Sequence, residues 1–442
     1  MNKTTLCIGL GLAFGALAVA GTASAGTLYE DNGRTLGLDV SSMIGAFSAS
    51  EDYLGEGGKD WQEGYLKATL TGSVQQGSGG RLYGGLGFVA VGTFGQGDAG
   101  GYTTGSERRV SVDDAFIGWQ SPSGVLDLSF GRQMFQLGDG FLIAGDAISL
   151  GKGLEPLGVK VNRGGGYYLA GRKSFGNTAI ARIDPEGPLR GDVFWLQSNN
   201  RFHQDTELAG VNLEYVSDEW GTAAFSYMKV LDVDKGAGLG IWDQRKGMNV
   251  YSVRGQGNAG VDNLFLSAEY VAQRGGSTDV KNHAYAWYAE AGWTFADVAW
   301  SPTLNFRHAR FSGEDPSSAK NKAFDPLFFG LTRGLGTWFQ GEVASNYAGP
   351  ANSGNKLNRL ELMVQPREDL TIGLQYWQFD RLGKGPEVAG REVDLFAFWE
   401  INDNFIFSPL IGVYKPRGSD VRAAQGNSKR NVYLQAVLMY FY

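Results

Sequence analysis

The stretch NVYLQAVLMYFY, residues 431–442, alternates in polarity up to its last residue. Read as a strand, it places Val432, Leu434, Ala436, Leu438, Tyr440 and Tyr442 on one face and Asn431 and Gln435 on the other. The last residues of a soluble domain usually fray into water, and an apolar strand end left there invites aggregation. Something must cover that face.

The opposite end reads MNKTTLCIGLGLAFGALAVAGTASA (1–25), with Lys3, an apolar run from Leu6 to about Ala20, and then Ala23-Ser24-Ala25. A positive start, an apolar middle and a small-residue A-x-A site are the three parts of a secretory signal peptide. The run is short and interrupted by glycine, which argues against a membrane anchor. The reading is removal after Ala25 and one domain over residues 26–442. Cys7 is the only cysteine and leaves with that segment, so an exported chain of 442 less 25, or 417, residues has no thiol for a disulfide. No later stretch approaches the ~18 consecutive apolar residues of a membrane helix.

Aromatic residues make up 13% of the chain and 67 residues are glycine, at a mean hydropathy of −0.21. That combination suits many short strands joined by glycine-rich turns better than a helical enzyme. The formal charge of −7, or −8 without Lys3, argues against nucleic acid as a partner.

Alternating segments recur from about Arg34 onward. GYLKATLTGSV (64–74), RLYGGLGFVAVG (81–92), VNLEYVS (211–217), LFLSAEYVAQ (264–273) and RLELMVQ (359–365) each present one apolar and one polar face. A soluble sandwich has the same period. Three further features favour a membrane barrel. The segments have the roughly 9–11 residues of a tilted membrane crossing. Aromatics gather near strand ends in YWQF (376–379), FAFW (396–399) and WYAEAGW (287–293), where interfacial girdles lie. Short connections at 76–80, 120–124, 366–369 and 402–404 alternate with long ones around 49–62, 94–107, 135–157, 233–247, 274–283, 312–355, 381–390 and 416–430. Lipid then covers the apolar face of the last strand, and the first strand, near Leu36–Phe47, covers its edge. Counting strands gives about eighteen, with sixteen to twenty as the range, in an all-β, antiparallel, up-and-down transmembrane barrel. At that size side chains do not fill the interior.

Function is expected at the inward positions. Strand phase points Lys67, Arg81, Arg254, Arg307 and Arg359 inward, together with Asp127, Glu214, Glu269, Glu290, Glu361, Glu392 and Asp394. Basic rings select anions, and Arg254, Arg307 and Arg359 are expected to set such a preference. The alternative is a wet lumen in which mixed charges pair. His203, His283 and His308 have no metal-ligand spacing, and no G-x-S-x-G or H-E-x-x-H pattern occurs. DVDKGAGLG (232–240) starts like a calcium loop but has Gly236 where a ligand is needed, and reads as an outer loop. The chain is expected to be no enzyme and to carry no metal or cofactor. Two connections, 131–158 and 323–339, are too apolar for water. They either pack on the barrel rim or fold into the channel and narrow it.

GRQ (131–133) closing an early strand, FDPLF (324–328) after a later one, and KLNRLELMVQPREDLTIGLQYWQF (356–379) as a hairpin around Pro366 together resemble the alginate export family of outer-membrane porins. The resemblance implies an eighteen-strand barrel through which an anionic polysaccharide leaves the cell along an arginine-rich constriction partly closed by loops. It makes Arg132 and the segment Phe324, Asp325, Pro326, Leu327 and Phe328 candidate pore elements. The expected partners are outer-membrane lipid, an anionic oligo- or polysaccharide or other hydrophilic solute, and the barrel-assembly machinery, reached through the C-terminal aromatic strand. The barrel is expected to be a monomer in the cell outer membrane. Two other readings stay open: a porin for uptake of small nutrients, and a non-transporting barrel such as a hydrolase or adhesin.

Overall fold

The computed structural model describes residues 26–53, 55–330, 341–349, 352–382, 388–418 and 428–442. The segment read as a signal peptide therefore lies outside the described residues. Eighteen antiparallel strands, from Arg34–Ala49 to Asn431–Phe441, each pair with their sequence neighbours. The barrel closes where the last strand meets the first, in a register running from Ser41 opposite Phe441 to Ala49 opposite Tyr433. A nineteenth strand, Gly26–Asp31, pairs with Arg34–Leu38 and fills the part of the first strand's edge that the last strand does not reach. Its turn is Asn32-Gly33, both at positive φ (48° and 72°), the conformation that a two-residue hairpin needs.

Alternation sorts the side chains. Leu66, Phe88, Ile117, Val211, Tyr270, Leu374 and Leu434 face outward and are exposed to what the bilayer would cover. Trp61, Ser252, Arg307, Trp377 and Tyr433 face the interior and are buried. The aromatic clusters split the same way. Tyr376, Trp293 and Trp399 lie on the outer surface, whereas Trp377, Phe379, Phe396 and Phe398 turn inward and are buried, so they do not belong to an interfacial girdle.

At one end of the barrel the connections are short, at 121–125, 184–188, 218–220 and 368–369; at the other they include 133–176 and 312–354. That asymmetry places the first end in the periplasm and the second outside. The loop expected at 135–157 is longer than read. Residues 158–176 contain no strand, and the strands Asn177–Ile183 and Leu189–Gln197 follow it. Glycines explain the difference: Gly164, Gly165 and Gly166 have φ of 114°, 76° and 72°, which a strand does not accommodate. A Cβ on Gly165 would sit 2.7 Å from Thr93 Oγ1 and 2.8 Å from Glu107 Cβ, so the run lets the loop lie flat on the inner wall.

Candidate functional site: a loop-crossed, charged lumen

The 133–176 loop crosses the barrel interior. On one wall, the Tyr288 hydroxyl donates to Asp139 (2.5 Å), and Phe141 packs on Tyr288 and Phe311 with ring centroids 5.2 and 5.8 Å away. Near the opposite wall, the backbone N–H groups of Tyr168 and Leu169 donate to Glu63 (2.9 and 3.1 Å), and Tyr168 nests among Phe47, Trp61 and Tyr433. Phe141 and the ring of Trp61 are fully buried. The apolar character of this loop thus comes from an interior contact.

The 324–328 segment docks onto it. Phe328 exchanges backbone hydrogen bonds with Leu142 (3.0 Å) and Ala144 (2.7 Å), and Phe324 stacks on Phe141 and lies tilted against Phe311. Asp325 receives two 2.8 Å hydrogen bonds from Arg245, whose side chain is wholly buried and lies 4.0 Å over the Trp242 ring. Pro326 and Leu327 complete the turn. Leu327 sits at φ 52°, held by Asp325, which accepts from its N–H, and by Arg245, which donates to its carbonyl. Further along, Val343 and Ala344 donate backbone N–H to Glu392 (2.9 and 2.7 Å), anchoring that loop to the wall.

Most inward cations expected from strand phase are already partnered. Arg307 bonds Glu290 (2.6 Å), and Arg359 reaches Glu290 and Glu361 at 3.0 Å each. Arg254 meets Glu214 (2.5 Å), Asn212 (2.8 Å) and Ser226 (2.9 Å). Lys67 lies between Asp113 (2.8 Å) and Asp114 (2.6 Å). Both carboxylates reach it because a bulge between Gly87 and Phe88 of the paired strand puts an extra residue here and breaks the period of two. Arg81 lies at the periplasmic mouth, exposed, over the Tyr83 ring at 5.5 Å. The structure thus leaves Arg254, Arg307 and Arg359 as members of ion pairs, with Arg307 wholly buried, and does not present them as a free basic ring.

A second set of cations converges on the glycine run. Arg132 follows Gly131, whose φ of 118° interrupts the alternation, and its guanidinium meets the Asn199 amide oxygen at 2.7 and 3.2 Å. Arg109 donates to the Asn162 carbonyl (3.3 Å), and Arg172 to the Arg163 carbonyl (3.0 Å). Arg163 pairs with Asp146 (3.2 Å). Among the described residues, no carboxylate lies within ion-pair distance of Arg109, Arg132 or Arg172. Burial, then the guanidiniums of Arg163 and Arg109, push Arg172 down to about 9, which still leaves it charged at neutral pH. Sequence reading found Arg132 by resemblance and missed Arg109, Arg163 and Arg172. Arg109 sits in a strand next to the bulge, and the other two lie in a loop with no periodicity to give their direction.

A closed barrel of eighteen strands, with loops folded into a charged lumen, defines an outer-membrane channel. Residues 104–393 match the alginate export family, and the chain belongs to it. No curated protein matches the chain. Among solved structures it is similar to a BenF-like porin from Pseudomonas fluorescens Pf-5, at 9% identity and a TM-score of 0.60, covering 92% of this chain and 98% of that one. Acinetobacter baumannii OccAB2 and Pseudomonas aeruginosa OccK7 match at 11% identity with TM-scores of 0.56 and 0.54, each over 92% of this chain and 98% of theirs. At that identity the likeness concerns the fold.

Proposed function

We propose that this chain is a passive channel for an anionic, hydrophilic solute, with an acidic oligo- or polysaccharide as the favoured class. The supporting observation is the lumenal set Arg109, Arg132 and Arg172, which lacks carboxylate partners among the described residues while Lys67, Arg254, Arg307 and Arg359 are neutralised in ion pairs. Basic side chains in a narrow, loop-lined path attract anions and hold them weakly enough to release them. The 133–176 loop and residues 312–330 of the later one, with Phe324, Asp325, Pro326, Leu327 and Phe328 at their junction, form the constriction. Such a channel has no intrinsic direction, so export follows from the solute gradient. The signal peptide is removed after Ala25, and N-terminal sequencing of the membrane form should begin at Gly26.

The test is single-channel conductance in a planar bilayer under a salt gradient, followed by added polyuronate. The native channel should be anion-selective and blocked by polyuronate. Arg109→Gln, Arg132→Gln and Arg172→Gln together should lower selectivity and weaken the block by roughly threefold to a hundredfold, since each wet ion pair contributes about 0.2–1 kcal/mol. Unchanged selectivity and block would refute the assignment. Block by a monomeric uronate as strong as by the polymer would move the solute class to small acidic nutrients.

A further inference from the structure

The outer surface of the barrel carries a cluster of cations just above its apolar, lipid-facing wall. Arg310, Lys356 and Asp380 are consecutive cross-strand partners, and one step nearer the periplasm Arg391 pairs with Lys415. All share the face of outward apolar residues on their own strands: Phe306, Leu360, Leu374, Val393 and Ile411. Their sequence neighbours Ala309, Leu357, Phe379, Glu392 and Tyr414 are the ones that are buried inside. The next outward row toward the periplasm, Phe306, Leu360, Tyr376, Val393 and Val413, is wholly apolar or aromatic. The cations thus begin one step of about 7 Å above the hydrocarbon boundary, at the end bearing the long loops.

This sector is asymmetric in charge. Five cations, Arg310, Lys356, Arg391, Lys415 and Arg417, surround one carboxylate, Asp380, which pairs with Lys356 (3.4 Å) and Arg417. Among the described residues, Arg310, Arg391 and Lys415 have no carboxylate within ion-pair distance, and Arg310 Nε is buried without a hydrogen-bond partner. At the periplasmic end of the same strands acidic residues predominate: Glu368, Asp369, Glu400 and Asp403 gather around one cleft, with Arg367 paired to Asp369 (3.0 Å). A generic interfacial belt would not separate the signs in this way.

We propose that this sector binds the phosphorylated glycolipid headgroup of the outer leaflet. Arg310 and Lys415 lie on strands four spacings apart, roughly 19 Å, a width that takes one bis-phosphorylated disaccharide. Guanidinium and ammonium groups held in register by the sheet give charge-assisted bonds to its phosphates. Asp380 fixes Lys356 and Arg417 without neutralising the patch.

The experiment is native mass spectrometry of the detergent-purified barrel with added bis-phosphorylated lipid A or its dephosphorylated form. The phosphorylated lipid should be retained and the dephosphorylated form lost. The Arg310→Gln, Arg391→Gln, Lys415→Gln variant should bind at least tenfold more weakly, with pore conductance unchanged to show that the barrel formed. Exchanging the charges conservatively (Arg310→Lys, Arg391→Lys, Lys415→Arg) should restore binding. Equal binding of both lipids by the native protein overturns the proposal, whether or not the variants fold. So does unchanged binding by the Gln variant, or retention of a second copy of the chain in place of lipid.

Discussion

Arg245 and Asp325 stand 80 positions apart in the chain, on two different outer loops, and meet inside the barrel through two parallel 2.8 Å hydrogen bonds. The arginine is fully buried, so its charge is compensated by this carboxylate and by its stacking on Trp242. The pair clamps the FDPLF turn across the lumen, and its removal should be felt there.

Asp325→Ala should leave Arg245 buried without its partner, at a cost of about 3–5 kcal/mol. Strand pairing does not involve either residue, so heat-modifiable mobility of the barrel should change little. The loop should undock, and single-channel recordings should show a larger or noisier conductance. An unchanged trace would mean that the turn does not restrict the path.

Leu327 gives an unusual pair of expectations. Its side chain is buried, so Leu327→Ala should destabilise loop docking by about 2–5 kcal/mol. Its φ of 52° favours glycine, so Leu327→Gly should be no worse than Leu327→Ala, the reverse of the order expected at most buried sites. Protease nicking rates in the loop would rank the two variants.

His203 should make the constriction sensitive to acid. Burial, then Arg245 and Arg163, hold its imidazole well below the usual 6.5, outweighing Asp146 at 3.9 Å. The docked loop therefore favours neutral His203, while the undocked loop takes up a proton near pH 6.5. The docking contribution is fully present above that pH and falls as pH drops below it, by up to about 1.4 kcal/mol per unit. Open-state noise should rise between pH 7 and pH 5, and His203→Gln should flatten the profile.

Arg307 and Arg172 should separate stability from selectivity. Arg307→Gln takes a buried partner from Glu290 and should lower the unfolding midpoint in detergent while shifting the reversal potential less than Arg172→Gln does. The opposite ranking would return Arg307 to the selectivity set.

Strand existence, closure and the division into short and long connections were all legible from the chain, because each follows from local alternation and from the need to hide a backbone edge in lipid. The meeting of the last strand with the first follows that logic, and so does the inward phase of Lys67, Arg254, Arg307 and Arg359. Which aromatics belong to the outer surface was only half legible. Trp377 and Phe396 read like girdle residues in sequence, but they turn inward and are buried.

The sequence by itself determined a barrel and, where the alternation is unbroken, which polar strand residues face its lumen, since period two is a property of a single strand. The charge that a solute meets was decided by tertiary structure alone. Glu290 serves Arg307 and Arg359 from two other strands, and the bulge brings both Asp113 and Asp114 to Lys67. Arg172 reaches the lumen on a loop whose course is set by the glycines that let it lie against the inner wall. Ion pairing depends on distances between neighbouring strands, and no pattern along one strand encodes them.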